Sequence, residues 1–351
     1  MIKPWVFEFF PELTKPSGEQ ADPAAVAKYF QTYLDIWTRA ETLGYEGIFF
    51  SEHHFGNAYS PSPNLLISAL AGRTKTLRLG VMGVVVPYYT PWRIFEEIAM
   101  LDNLTNGRIE IGTAVGIPQE LSHVSMSMEE ARERNDEAIE ILDALLSKEI
   151  VSFSGKYSKF ENLRPLPRPL QQPSPPKWTT VVSNDSARKA ARRNSKISTA
   201  FNTCDRIKEI FDAYRDEADK SGFKAEPEHL GLRRRLTIAE SASEAKELME
   251  AMTSRVKAML AKDPRIAAKH VPDSPDRDKK AGGGGFVVSD EEFLHGTPKQ
   301  IADIVIDQCR RTGAGHFLAI LHWGAPADEV IRGHEMFGKE VIPILRKAKV
   351  A

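Results

Sequence analysis

Short runs of apolar, β-branched and aromatic residues alternate along this chain with longer stretches whose apolar positions recur every three to four residues. The first pattern predicts strands at residues 3–10, 47–50, 77–86, 108–113, 177–182, 197–201, 230–238 and 316–321. The second predicts helices at 22–43, 63–72, 91–104, 127–146, 186–193, 205–221, 242–260 and 298–312. Their boundaries carry ordinary stop and start chemistry: Asp22 before Pro23 opens the first helix, Gly44 closes it, and Asn106-Gly107 ends the third. Each strand is short and almost wholly apolar, as expected when helices cover both faces of a parallel sheet. A doubly wound nucleotide-binding sheet would carry GxGxxG after its first strand, whereas this strand runs into Pro11 and Glu12. Eight strand–helix units therefore predict an α/β fold, a (β/α)8 TIM barrel forming one domain over 1–351.

Two stretches depart from the alternation. Residues 150–160 read as a hairpin about Ser154-Gly155-Lys156 and lead into a proline-rich run at 164–176, so 150–176 is expected to be an excursion over the outside of the barrel. Residues 262–289 are polar and contain Gly282-Gly283-Gly284-Gly285, which predicts a mobile lid loop.

Composition narrows the class. The chain has 351 residues, 42% hydrophobic and 27% charged, with 47 basic against 48 acidic side chains. That balance leaves no electrostatic footprint for nucleic acid. No apolar run approaches the roughly 20 residues of a membrane span, and Met1-Ile2-Lys3-Pro4-Trp5 lacks a secretory layout. Cys204 and Cys309 stand far apart and form no CxxC, so neither a disulfide framework nor a zinc knuckle is expected. The expectation is a cytoplasmic enzyme that binds neither nucleic acid nor membrane.

In a barrel the chemistry gathers at the C-terminal strand ends and the loops after them. Ser51-Glu52-His53-His54-Phe55 lies at such an end. Adjacent residues on extended backbone point to opposite sides, so His53 and His54 do not readily share one ion, and no metal site is expected. His322-Trp323 follows the last strand, and its reading stays open between a packing pair and a pocket wall facing the same mouth. P-loop, GxSxG, EF-hand and zinc spacings are absent.

Taken together, these segments resemble the bacterial luciferase-like, flavin-dependent monooxygenases, most closely the alkanal-oxidising luciferase subunit. The matching residues are the run from Gly44-Tyr45-Glu46-Gly47 through Ser51-Glu52-His53-His54-Phe55, Leu79-Gly80 to Pro87, Leu101-Asp102 with Asn106-Gly107-Arg108, Ser183 with its following helix, Gly296-Thr297-Pro298, and a closing helix over 337–345. The resemblance implies a barrel with flavin at its C-terminal mouth. It also implies a catalytic role for His53, with His54 and Glu52 orienting it, because imidazole titrates in the range useful for proton transfer beside a flavin. It further implies a non-prolyl cis peptide at Met82–Gly83 beneath the flavin ring, and flavin contacts from Thr113. Phosphate binding is implied at Ser183 and Asn184, aided by Ser186 and the helix N-terminus, with Arg132, or Arg134 in the adjacent register, as the basic partner. Phe7, Phe9, His322 and Trp323 are the expected walls of the substrate pocket. Two positions depart from the luciferase pattern: Val115 stands where a phosphate-binding arginine is found, and Val182 stands where an acidic residue precedes the serine.

By the same resemblance the activity is a monooxygenase reaction. Reduced, diffusible FMN reacts with O2 through a peroxyflavin to oxidise a small substrate, an aldehyde or hydrocarbon or a natural-product intermediate. No nicotinamide-binding domain is visible, so a separate NAD(P)H-dependent flavin reductase is the expected partner, and the enzyme itself is expected to be a homodimer through helices 63–72 and 91–104. The alternatives are an F420-dependent oxidoreductase on the same barrel and a non-catalytic flavin-binding subunit.

Overall fold

The computed structural model describes residues 1–13, 21–56, 58–261 and 291–350, so the glycine-rich stretch 262–289 lies outside the described residues. The strands are β1 (Lys3–Glu8), β2 (Gly47–Phe50), β3 (Arg78–Val81), β4 (Val84–Val85), β5 (Ile109–Ala114), β6 (Val151–Ser154), β7 (Lys159–Leu163), β8 (Lys177–Thr180), β9 (Lys196–Thr199), β10 (Leu230–Ile238), β11 (Phe293–Gly296) and β12 (His316–Leu321). Eight of them close a parallel ring in the order β1-β2-β3-β5-β8-β9-β10-β12, with β12 returning to β1. The fold is the (β/α)8 barrel that the alternation predicts. Among the described residues, no helix is long and apolar enough to cross a membrane.

The interior is built from aromatics set against glycines. Trp5, Phe7, Phe49, Met82, Trp178, Leu318 and Ile320 form one buried cluster inside the ring. Along the ladder Trp5 faces Gly47, Phe49 faces Gly80 and Trp178 faces Gly112. A Cβ at Gly47 would lie 2.3 Å from the Trp5 ring, and one at Gly80 2.6 Å from the Phe49 ring. The bulky ring on one strand thus takes the space its neighbour leaves empty, which fills a small barrel at native density. Outward-facing strand residues join the larger shell beneath the helices.

The helices that position the mouth are α1 (Pro23–Arg39), α2 (Pro63–Ala71), α3 (Pro91–Leu104), α4 (Pro118–His123), α5 (Met128–Ser147), α6 (Asn184–Arg192), α7 (Cys204–Lys220) and α8 (Ala242–Ala261), followed by helices Pro298–Thr312, Ala327–Met336 and Ile342–Leu345. Asp22 caps α1 through the Ala24 N–H at 2.8 Å, and Thr297 and Gln300 form a capping box on Pro298–Thr312.

Four elements differ from expectation. The strand expected at 77–86 is broken: β3 and β4 flank a cis Met82–Gly83 peptide, and 86–88 turn as a 3-10 helix. The first helix stops at Arg39, and turns carry the chain to the left-handed Gly44. An additional strand, β11, lies beside the upper half of β10; Arg235 and Leu236 pair with both β11 and β12, so β11 sits on the β9 side, above where β9 ends. The closing helix begins earlier, at Ala327, and widens to a π-turn at Phe337–Val341, next to Pro343, which has no N–H to donate.

Strands β6 and β7 pair antiparallel, and the proline-rich run after them is pinned to the outside of the barrel. Arg168 donates to the carbonyls of Leu146 at 2.7 Å and Lys148 at 3.1 Å at the end of α5, while Asp102 accepts from the Gln171 backbone and side chain at 2.8 and 2.7 Å.

Candidate active site at the barrel mouth

The loop after β2 separates its two histidines. His53 Nδ1 lies 2.8 Å from Glu120 Oε1, and the His53 ring stacks on Phe9 at 5.5 Å between centroids with 19° between planes. A carboxylate only accepts, so Nδ1 carries the proton toward Glu120 and leaves Nε2 as the free ring nitrogen. His54 turns the other way: its Nε2 is 3.0 Å from Glu52 Oε1, which also accepts from the Tyr89 hydroxyl at 3.1 Å. The expected orientation of His53 by Glu52 is therefore corrected. Glu52 serves His54, and the partner of His53 is Glu120 on α4, a six-residue helix in a stretch expected to be loop. Glu120 is 67 residues from His53, and no local pattern pairs them.

Phe9 also meets Phe7 at 5.2 Å and Trp323 edge-on at 6.4 Å, so Phe7, Phe9, His53 and Trp323 form one contiguous wall. His322 does not join it. Its Nε2 accepts from the Ile238 N–H at 3.3 Å, its Nδ1 faces Glu329 at 3.2 Å, and a Cβ on Gly333 would fall 2.3 Å from its ring. It ties the end of β10 to the helix Ala327–Met336.

Met82, Gly83 and Thr113 come together where β4 pairs with β5; a Cβ on Gly83 would lie 2.5 Å from the Thr113 carbonyl carbon. Ser183 is the N-cap of α6, and its hydroxyl accepts from the Ser186 N–H in a capping box. Asn184 opens that helix with a buried Oδ1 that lacks a partner among the described residues. Arg132 is exposed and forms no ion pair or hydrogen bond among the described residues, whereas Arg134 pairs with Glu130 at 2.8 Å and lies over the Tyr157 ring. Val182 is 67% exposed, so it leaves the α6 end open to solvent.

The mouth also contains two arginines that the sequence reading passes over. Arg233 and Arg235 pair in register with Leu318 and Ile320, which face the interior, so both point into the barrel. Arg233 lies 4.3 Å over the Phe7 ring and Arg235 4.9 Å from the Phe201 ring. Burial pulls the Arg233 guanidinium down to about 10, against the attraction of Glu292. Three consecutive arginines between apolar strand residues are the signal that marks them, since alternation along a strand turns Arg233 and Arg235 to one face.

A separate cleft of about 690 Å³ lies between α5 and the β6–β7 hairpin, and most of its acidic lining is already engaged: Glu137 accepts from the Lys156 and Tyr157 N–H groups, Asp143 pairs with Lys177, and Asp136 with Lys189. The mouth is different, because buried polar atoms there lack partners. Among the described residues, Trp323 Nε1 and Ser198 Oγ, at the C-terminal ends of β12 and β9, are both unbonded. A flat ring system edged with carbonyl oxygens and ring nitrogens meets that demand between aromatic walls, so the residues present fit a flavin.

Comparison with known proteins gives a consistent set of relatives. The family model described as luciferase-like monooxygenase matches residues 11–316. An uncharacterized protein, y4wF of Sinorhizobium fredii, is 34% identical over 230 residues, covering 65% of this chain and 67% of its own length. The oxygenase component of the flavin-dependent trigonelline monooxygenase of Acinetobacter baylyi is 29% identical over 195 residues, covering 54% and 53%. The chain thus aligns with only about half to two thirds of these relatives. Among solved structures, the monooxygenase RslO1 from Streptomyces bottropensis superposes with a TM-score of 0.82 at 25% identity, over 97% of this chain and 99% of that one. The oxygenating constituent of 3,6-diketocamphane monooxygenase of Pseudomonas putida, solved in complex with FMN, has a TM-score of 0.79 at 20% identity, over 100% and 99%. An F420-dependent secondary alcohol dehydrogenase shares the fold at 15% identity, with a TM-score of 0.74 over 99% of each chain.

Proposed function

The chain belongs to the luciferase-like monooxygenases, and from that premise we propose that it is the oxygenase of a two-component system, using reduced FMN and O2 to oxidise a small organic substrate. The observation that carries the reading is the His53–Glu120 pair set on Phe9 at the barrel mouth. Reduced FMN, when bound, supplies the electrons that activate oxygen. Glu120 fixes the His53 tautomer, so Nε2 holds or delivers a proton at the mouth. Phe9 keeps the imidazole plane fixed. Met82, Gly83 and Thr113 would hold the flavin ring, and Ser183, Asn184 and Arg132 its phosphate, these three without help from Val115 or Val182. Phe7, Phe9 and Trp323 exclude water from the substrate. His54 and Glu52, tied to Tyr89, hold the loop that carries His53, and His322 holds Trp323 in place.

The proposed partner is an NAD(P)H-dependent flavin reductase, a reading supported by the relative named as the oxygenase component of a flavin-dependent monooxygenase. Leu65, Met100 and Leu104 are exposed apolar residues on α2 and α3, which supports a homodimer through those helices.

Anaerobic titration with reduced FMN, followed by mixing with oxygenated buffer and reading flavin absorbance, tests the function. Saturable binding and a reoxidation course altered in His53→Ala are expected. Binding of F420 but not of reduced FMN would overturn the reading in favour of hydride transfer on the same barrel.

A further inference from the structure

Two of the buried arginines in this protein show how it treats a guanidinium that serves only the fold, and a third departs from them. Arg108 donates to the Ala71, Thr74, Leu77 and Thr105 carbonyls and to the Thr74 hydroxyl, binding the end of α2 to the Asn106-Gly107 turn. Arg234, on the outward face of β10, donates to Gln308 at 2.8 Å and Glu292 at 3.1 Å and reaches Cys204 Sγ. Arg233 is only 6% exposed, yet among the described residues it forms no hydrogen bond and no ion pair, and its Nε is buried and unbonded. A buried cation without acceptors is costly and is not kept for packing alone.

The local charge is unbalanced in the same direction. Arg233, Arg234 and Arg235 share one carboxylate, Glu292, and that group is already taken by Arg234, by Arg235 at 2.8 Å and by the Phe201 N–H at 2.7 Å. The Arg235 Nε is also buried without a partner among the described residues. Phe7, Phe9 and Phe201 flank the two guanidiniums at 4.3–6.0 Å, so the vacant donors open between flat apolar walls. Phe9 links them directly to His53.

We propose that the substrate is a small planar organic acid, whose carboxylate is received by Arg233 with Arg235 beside it, while its ring or chain lies along Phe7, Phe9 and Phe201 toward His53. The proposal rests on the oxygenase reading of the mouth and adds the substrate class to it. A planar guanidinium pairs with a carboxylate through two parallel N–H···O bonds, and exclusion of water strengthens that pairing. The same anion chemistry occurs in the flavin phosphate, but the groups suited to that lie two strands away, around Ser183 after β8.

Benzoate and its neutral isostere benzamide are the probes, titrated calorimetrically into the full chain at pH 7.5, with and without FMN. Benzoate is expected to bind at least tenfold more tightly than benzamide. Arg233→Met is expected to abolish the difference, and Arg233→Lys to restore part of it. FMN and riboflavin are expected to bind Arg233→Met as they bind the parent. Because that variant loses a buried unpaired cation, it is expected to melt no lower than the parent, whereas Arg234→Met melts lower. Should Arg233→Met fail to fold, Arg233→Lys carries the same test through a reduced benzoate preference. Equal binding of the two probes, or binding of neither, overturns the proposal. So does a loss of FMN affinity in Arg233→Met with riboflavin affinity intact, which would assign the arginine to the flavin phosphate. Benzoate discrimination is read in the flavin-free protein too, so a failure to bind reduced FMN is told apart from a failure of the anion site.

Discussion

His53 and His54 are neighbours in sequence, but each is committed to a different carboxylate, and the difference sets what each can do. His54, Glu52 and Tyr89 form a closed set of hydrogen bonds. His53 has one nitrogen anchored to Glu120, and its side chain stays 26% exposed at the mouth. Proton transfer by a positioned imidazole is worth about 10²–10⁴ in rate, so His53→Ala is expected to lower turnover by about 10²-fold or more. Glu120→Gln leaves an acceptor oxygen in place but removes the charge that fixes the tautomer. It is expected to lower turnover by a smaller factor and to change the pH profile, with reduced-FMN affinity preserved. Steady-state rates across pH check this, and an unchanged profile would show that Glu120 only packs. The histidines stood out in the sequence because they are dense and follow an apolar strand. Glu120, Arg233 and Arg235 did not: the first is brought in from the short helix α4, 67 residues along the chain, and charged residues in a strand read as solvent-facing until barrel closure turns them inward.

At the scale of elements, the register explains why the strands were legible and their interruptions were not. Apolar strands covered on both faces leave an unbroken signal, and 47–50, 230–238 and 316–321 are found with the predicted bounds. The break between β3 and β4 is set by contact with a strand further along the chain, which no local pattern encodes. Gly83 is wedged against the Thr113 backbone, with the nitrogen, carbonyl carbon and oxygen all 2.5–2.8 Å from where a Cβ would sit. Backbone atoms cannot swing aside as a flexible side chain can. Gly83→Ala is therefore expected to destabilise the protein by about 1–3 kcal/mol, the range for overpacking, and to weaken flavin binding. Gly72 ends α2 with nothing within 4 Å of its Cβ position and with helical backbone angles. Gly72→Ala is expected to be neutral or stabilising by up to about 1 kcal/mol through the unfolded chain. Urea denaturation of the two variants side by side measures the contrast, and equal losses would remove the contact as the cause.

For the molecule as a whole, pH dependence follows from histidines buried far from the mouth. His316 closes the barrel floor, accepting from Trp5 Nε1 at 2.8 Å and reaching the Glu228 carbonyl at 3.1 Å; burial, with Lys196 and Lys3 nearby, holds it well below the usual imidazole range. His334 contacts the Tyr45 hydroxyl at 3.0 Å, and burial, aided by His322, pulls it down to about 3. Both rings stay neutral in the fold until the pH is far below 6.5, whereas the unfolded chain takes up a proton on each as pH falls past 6.5. The unfolded state therefore binds more protons in that window, so stability is full above about pH 6.5 and declines as pH falls toward the folded values. His334 is expected to cost about 2 kcal/mol between pH 6.5 and 5, and His316 acts in the same direction. Glu8, buried and raised, acts in the opposite sense and offsets part of the total, so the informative quantity is a difference between proteins. His334→Gln keeps a polar partner for Tyr45 but removes the titration. It is expected to be less stable than the parent at pH 7.5 and to lose about 2 kcal/mol less between pH 6.5 and 5. Denaturant unfolding of both proteins at those pH values decides the matter: parallel pH dependences would mean that His334 is protonated in the folded barrel and that its burial against Tyr45 does not set its charge.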